Sequence, residues 1–201
     1  MINIRKTLLA AFLTISSMVP FMASATVINF DDLSPTTFAP IANGYQGLNW
    51  NNFYVDNTTT SPVSGYQNAN VSGNNIAFNG NGTLAITSSN SGFSLDDAFF
   101  TAAWNDGLNV HVVGTTLSNQ TLIKDFIVNT SGPSLEVFGW SNLASVDFTS
   151  FGGTAHGYTA GSGTQFAMDD LRVNETVPEP ATLALLGLGL FGFAAARRRK
   201  Q

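Results

Sequence analysis

The residues best placed to do chemistry in this 201-residue sequence are aspartates. One pattern occurs three times: Ile28-Asn29-Phe30-Asp31-Asp32, Phe93-Ser94-Leu95-Asp96-Asp97 and Phe166-Ala167-Met168-Asp169-Asp170. Each copy is an apolar residue, a small one, a second apolar residue and then two Asp. If the strands carrying the first and last copies pair, Asp31, Asp32, Asp169 and Asp170 come together. Four carboxylates in one place repel unless something neutralises them. Calcium suits such a site, because it takes about six to eight oxygen ligands, carboxylates among them. The other reading is that these Asp residues end strands and accept backbone N–H groups in Asx-type turns. On either reading they staple the fold rather than react. Parity adds a detail: Phe166, Met168 and Asp170 share a face, whereas Leu171 and Val173 take the other phase, which predicts a β-bulge at Asp169-Asp170. Asp32 is in phase with Ile28 and Phe30, so it needs a partner, and Arg172 and Lys124 are the basic candidates.

A second chemistry is available to the aromatic residues. Sugar-binding sites lay aromatic faces against the apolar faces of sugar rings, with Asn, Asp and Gln for the hydroxyls. Trp50, Trp104 and Trp140 are the Trp candidates, supported by Tyr45, Tyr54, Tyr66 and Tyr158. The richest patch is Asn49-Trp50-Asn51-Asn52-Phe53-Tyr54, and Trp104-Asn105-Asp106-Gly107 sets a Trp beside a turn. Trp50, Tyr54, Trp104 and Asp106 are therefore the candidate glycan-binding residues. Trp is usually core in a small sandwich, so at least two of the three are expected to be buried. An exposed Trp50 favours a binder; three buried Trp favour a structural protein.

Covalent catalysis is poorly supplied. The sequence has no Cys and two His, His111 and His156. It contains neither a Gly-x-Ser-x-Gly elbow nor a His-Glu-x-x-His helix. No catalytic residue is assigned and the chain reads as a non-enzyme; a hydrolase built on two Asp is the remaining catalytic alternative. Between residues 26 and 177 only Lys124 and Arg172 are basic, against 12 acids, a balance of about −10 that repels phosphate backbones and argues against nucleic acid.

The elements that must position these groups read as short strands. Alternation or apolar runs appear at 27–30, 84–86, 108–113, 122–128, 135–138 and 146–148. Turn signals separate them, such as Asn43-Gly44, Asn105-Asp106-Gly107 and Ser131-Gly132-Pro133. Val110 and Val112 face one way and Asn109, His111 and Val113 the other, which places His111 on the less apolar side. Lys124 shares a face with Phe126 and Val128, which marks an edge or a strand end. Thr58 to Pro62 and the Asn-rich 68–82 stretch read as long polar loops. The fold class is all-β: an antiparallel, jelly-roll-like β-sandwich over residues 26–176.

The two ends read as addresses. Arg5 and Lys6 precede an apolar run, Leu8 to Val19, and Ala23-Ser24-Ala25 is a small-x-small cleavage site, so residues 1–25 read as a secretory signal peptide cut after Ala25. At the other end Val177-Pro178-Glu179-Pro180 precedes an apolar segment, 181–196, and the basic tail 197–200. As a helix that segment spans roughly 24 Å, a short single membrane span that snorkelling Arg and Lys can complete. The basic tail keeps the C-terminus cytoplasmic and the middle on the outer side.

Residues 177–201 resemble the PEP-CTERM sorting signal: the Pro-Glu-Pro triplet at 178–180, one short hydrophobic helix and an Arg-rich tail. The resemblance implies a Gram-negative bacterium, export through the Sec translocon, and an exosortase that cleaves near Pro178–Pro180. It further implies passage through the inner membrane and delivery to the cell surface or its exopolysaccharide matrix. The middle also resembles a jelly-roll domain recurrent in PEP-CTERM proteins, through Ile28 to Leu33, Tyr45 to Trp50, Phe93 to Asp96, Val113-Gly114 and Phe166 to Leu171. That likeness implies a sandwich similar to carbohydrate-binding modules, with exopolysaccharide as partner. A structural or adhesive matrix protein without a small ligand is the alternative.

Overall fold

The structure is a computed structural model that describes residues 26–34 and 38–174. The signal-peptide residues, the Pro-Glu-Pro triplet, the 181–196 helix and the basic tail lie outside the described residues. Among the described residues no helix is long and apolar enough to cross a membrane.

The described residues fold as an antiparallel β-sandwich of twelve strands. In order they are β1 (Thr26–Ile28), β2 (Ala39–Pro40), β3 (Asn49–Asn51), β4 (Phe53–Asn57), β5 (Asn75–Asn79) and β6 (Ala85–Ala102). The rest are β7 (Asn105–Asp106), β8 (Leu108–Thr116), β9 (Thr121–Val128), β10 (Ser134–Phe151), β11 (Thr154–Ala155) and β12 (Phe166–Val173). The main sheet runs β2-β4-β5-β12-β6-β10-β8-β9, with β1 on β12 and β3 on β6. β6 and β10, 18 residues each, tie the two layers together. The second half of β6 pairs with β12 and the start of β10, while its first half pairs with β3 and the end of β10. Register shifts at Val137/Trp140, Trp140/Leu143 and Leu143/Ser145 bend β10 between layers, as bulges do.

Alternation produces the two faces. Along β8 every second residue from Leu108 to Thr116 is buried, so Val110 and Val112 point inward and Asn109, His111 and Val113 outward. The main core joins both layers through Phe30, Phe53, Phe100, Phe148 and Phe166. Phe100 touches Phe126, Phe138, Phe148 and Phe166 at ring-centroid distances of 4.9–6.2 Å. A second, smaller cluster of Tyr66, Ile76, Phe78, Ala103, Trp104 and Ala167 packs on the outer face of the β4-β5-β12 layer.

β9 is an edge strand, as the inward Lys124 indicated. Lys124 meets Glu136 of β10 at 3.1 Å and lies 5.4 Å from the Phe138 ring centre. Charges pointing inward at an edge discourage another strand from adding there.

The expected loop at 68–82 is corrected. β5 lies inside it, every one of its residues is buried, and it sits between β4 and β12. Its Asn residues bond rather than solvate. Asn75 Nδ2 donates to the carbonyls of Phe30 and Leu33, and Asn79 Nδ2 donates to Thr83 O and Ser150 Oγ. Asn79 Oδ1 also accepts Phe166 N–H.

Candidate functional site

The terminal strands do pair. Thr26 opposes Val173 and Ile28 opposes Leu171, antiparallel, which brings the first and last Asp pairs to the same end of the sheet. The bulge is present: the β12–β6 register breaks between Asp169 and Arg172, and Asp170 takes a φ of 46°. There the carboxylates clasp the 70–75 loop. Asp169 Oδ2 accepts Val71 N–H at 2.6 Å and Ser72 N–H at 3.1 Å, and Asp170 Oδ1 accepts the Ser72 hydroxyl at 2.6 Å. Asp31 Oδ1 accepts the Asn74 and Asn75 N–H groups at 2.9 and 3.0 Å. Gly73 is required in this clasp, because its φ is 50° and a Cβ there would lie 2.0 Å from Asp31 Oδ2.

Asp32 does not reach either base. Phe30 turns the chain at a φ of 62°, and Asp32 instead accepts the Tyr45 hydroxyl at 2.5 Å and Gln46 Nε2 at 3.4 Å. Arg172 meets Asp97 at 3.4 Å, and Lys124 meets Glu136. Each of the four Asp carboxylates thus serves donors of the chain itself. Among the described residues no three His, Asp or Glu side chains gather to hold a metal ion. Burial pushes the Asp169 carboxyl up to about 6, against the opposing pull of the Val71, Ser72 and Asp170 N–H groups.

The aromatic candidates separate. Trp50 is core: it is 4% exposed, packs edge-on to Phe30 and Phe53, and donates its indole N–H to Tyr45 O at 3.0 Å. Trp104 is buried as well, at 8% exposed, so two of the three Trp are buried as expected and the exposed Trp50 that would have favoured a binder is not found. Tyr54 and Trp104, 50 residues apart in sequence, nonetheless line one cleft of about 340 Å³. Tyr66 stands edge-on to Trp104 at 5.8 Å, and Phe78 stacks on Tyr54 at 5.6 Å. Phe38 adds an exposed rim, and Asn81, Ser162 and Gln165 supply polar groups. Gln165 Oε1 is buried without a hydrogen-bond partner among the described residues and is closed to solvent. Tyr54 comes from β4, Phe78 from β5 and Trp104 from the turn after β6. The Gly161 segment lies against the Trp104 ring so closely that a Cβ on Gly161 would come within 2.6 Å of it.

Asp106 stands behind the cleft rather than in it. Its Oδ1 accepts the Thr130 N–H at 2.9 Å and hydroxyl at 2.7 Å, and its Oδ2 meets His156 Nδ1 at 2.6 Å. The Thr130 N–H first, then the His156 hydrogen bond, hold its carboxyl down at about 2. His156 stacks on Tyr158 at 4.4 Å, and Tyr158 meets Trp104 edge-on at 6.3 Å. Asp106 thereby pins the 154–156 backbone, paired with β7, and supports Trp104 from the side. His111 is a surface residue bonded to Asp125 at 2.6 Å. Sequence reasoning had no route to Phe38, Phe78, Asn81, Ser162 or Gln165, whose spacing shows no pattern until the layers stack.

No curated protein matches the chain. Among solved structures, the TmCBM61 carbohydrate-binding module in complex with β-1,4-galactotriose aligns at 6% identity and a TM-score of 0.37, over 69% of this chain and 98% of that one. A family 29 carbohydrate binding module, a mutant made to probe ligand recognition, aligns at 15% identity and a TM-score of 0.37, over 76% of this chain and 91% of that one. The sandwich assignment itself rests on the strand order and the shared core. Residues 176–200 match the family model of the PEP-CTERM protein-sorting motif, so the chain carries the sorting signal of exported, exosortase-processed proteins.

Proposed function

We propose that this protein is a non-catalytic, exported β-sandwich that binds exopolysaccharide through the Tyr54–Trp104 cleft. The single observation that carries the reading is the cleft itself: Tyr54, Tyr66 and Trp104 converge with the amides of Asn81 and Gln165 around about 340 Å³. Aromatic walls with a few placed polar groups are the composition that binding pockets use, and neutral amides read hydroxyl groups in either direction. Phe38 and the half-buried Tyr54 present the accessible aromatic surface, while Trp104 and Tyr66, 8% and 2% exposed, form the floor beneath it. Among the described residues, those lining the cleft include no Asp, Glu or His, which suits a binding role. After exosortase processing the sandwich would be left at the cell surface or in its matrix.

The exposed face across β9, β8 and β10 supports a second, adhesive reading. Ile123, Ile127 and Phe151 are each more than half exposed there. Affinity electrophoresis of the full chain in a detergent without a sugar headgroup separates the two. Gels cast with host exopolysaccharide should retard the protein, and Trp104→Ala should weaken retardation by at least about tenfold, the equivalent of 1.4 kcal/mol. Free migration of folded protein would remove the binding reading and leave the adhesive one.

A further inference from the structure

The proposed cleft carries a statement about charge as well as shape. We propose that it selects uncharged sugar residues and rejects glycans bearing uronate, sulfate or phosphate, a selectivity that rests on the binding reading above. The described residues carry 11 Asp and Glu against two bases, Lys124 and Arg172. Both bases are already committed, Lys124 to Glu136 and Arg172 to Asp97, and neither lines the cleft. An anionic group entering between Tyr54 and Trp104 would shed water without gaining a cation, which is costly.

The carboxylates nearby work in the same direction. Burial first, and then the negative charge of Asp56, the buried residue two beyond Tyr54 on β4, raise the hydroxyl of Tyr66, whose ring lines the cleft. Asp106 stands behind Trp104 through His156 and Tyr158. A glycan hydroxyl brings no charge to desolvate, and its smaller desolvation cost can be met by the side-chain amides and hydroxyls that line the cleft.

The test uses soluble galactan, β-glucan and mannan, each beside its own C6-oxidised, carboxylate-bearing derivative. Affinity electrophoresis of the full chain in the same detergent reads retardation at about 10 mM and about 0.5 M salt, where the Debye length falls from about 30 Å to under 5 Å. The expected result is that at least one neutral polymer retards the protein and that its oxidised form binds at least about tenfold more weakly at low salt. The gap should narrow at high salt, and reducing the carboxylates back to alcohols should restore binding. Tyr54→Ala should abolish retardation by the neutral polymer.

Equal or tighter binding of an oxidised polymer would overturn the charge selectivity while leaving glycan binding in place. A gap that persists after the carboxylates are reduced back to alcohols would assign the loss to altered polymer shape and overturn the charge argument. Retardation that survives Tyr54→Ala would move the site elsewhere. If no neutral polymer retards folded protein, the binding reading falls and the selectivity with it.

Discussion

Mild acid should stabilise this fold, and Asp169 is the main reason. Its carboxylate is fully buried behind the 70–75 loop, and desolvation raises it to about 6, above the roughly 3.9 of an exposed Asp. A group raised in the folded state adds stability that is complete below its unfolded value and lost as pH rises through its folded value. Linkage then gives a gain of about 2 kcal/mol between pH 7 and pH 4 from this group alone. Asp56 and Asp147, both raised by burial, act in the same direction. Asp106 is lowered to about 2, so its contribution is present above the unfolded value and fades only as pH falls from near 4 towards 2. For a domain of this size the gain raises the melting temperature by about 4–8 °C. Circular dichroism melts at half-unit steps from pH 7.5 to 3.5 read it directly. In Asp169→Asn the curve should flatten by most of that amount, whatever the variant's starting stability. A wild-type melting temperature that is flat or falls from pH 7 to 4.5 would refute the burial argument.

Other consequences are separately measurable. Asn79→Leu removes the acceptor for Phe166 N–H and the donor to Ser150, and each orphaned buried group costs about 1–3 kcal/mol, so chemical denaturation should show a loss of at least about 2 kcal/mol. Because the clasp carboxylates already serve N–H and O–H donors, melting in EDTA and in millimolar calcium should agree within about 2 °C, less than 1 kcal/mol for this chain length. A calcium-dependent rise well beyond that would show that Asp31, Asp32, Asp169 and Asp170 take up an ion after all.

Much of the scaffold was legible because a strand with one buried face writes its period into the sequence. Leu108 to Val113 alternates, and β8 buries the predicted side. The parity break at Asp169-Asp170 identified a bulge from residue types alone, and the first and last Asp-Asp copies, which bracket the domain, anticipated the pairing of β1 with β12. β5 escaped because Asn75 and Asn79 look solvated in sequence. Their amides in fact replace main-chain partners inside the sheet, and such bonds to residues 45 and 87 positions away leave no local trace. The cleft was half legible. Tyr54 and Trp104 were singled out by type, whereas Trp50 has the same composition around it and is core. Only the stacking of the β4-β5-β12 layer under the 158–165 segment distinguishes them.

The most direct test of the central claim uses the three Trp as reporters during titration with a glycan that retards the protein. Trp50 is sealed in the core and Trp140 lies away from the cleft, so Trp104 should carry the fluorescence response. The account predicts a saturable change in wild type and in Trp140→Phe, and its loss in Trp104→Phe. A response that persists at full amplitude in Trp104→Phe would place the ligand elsewhere and contradict the account.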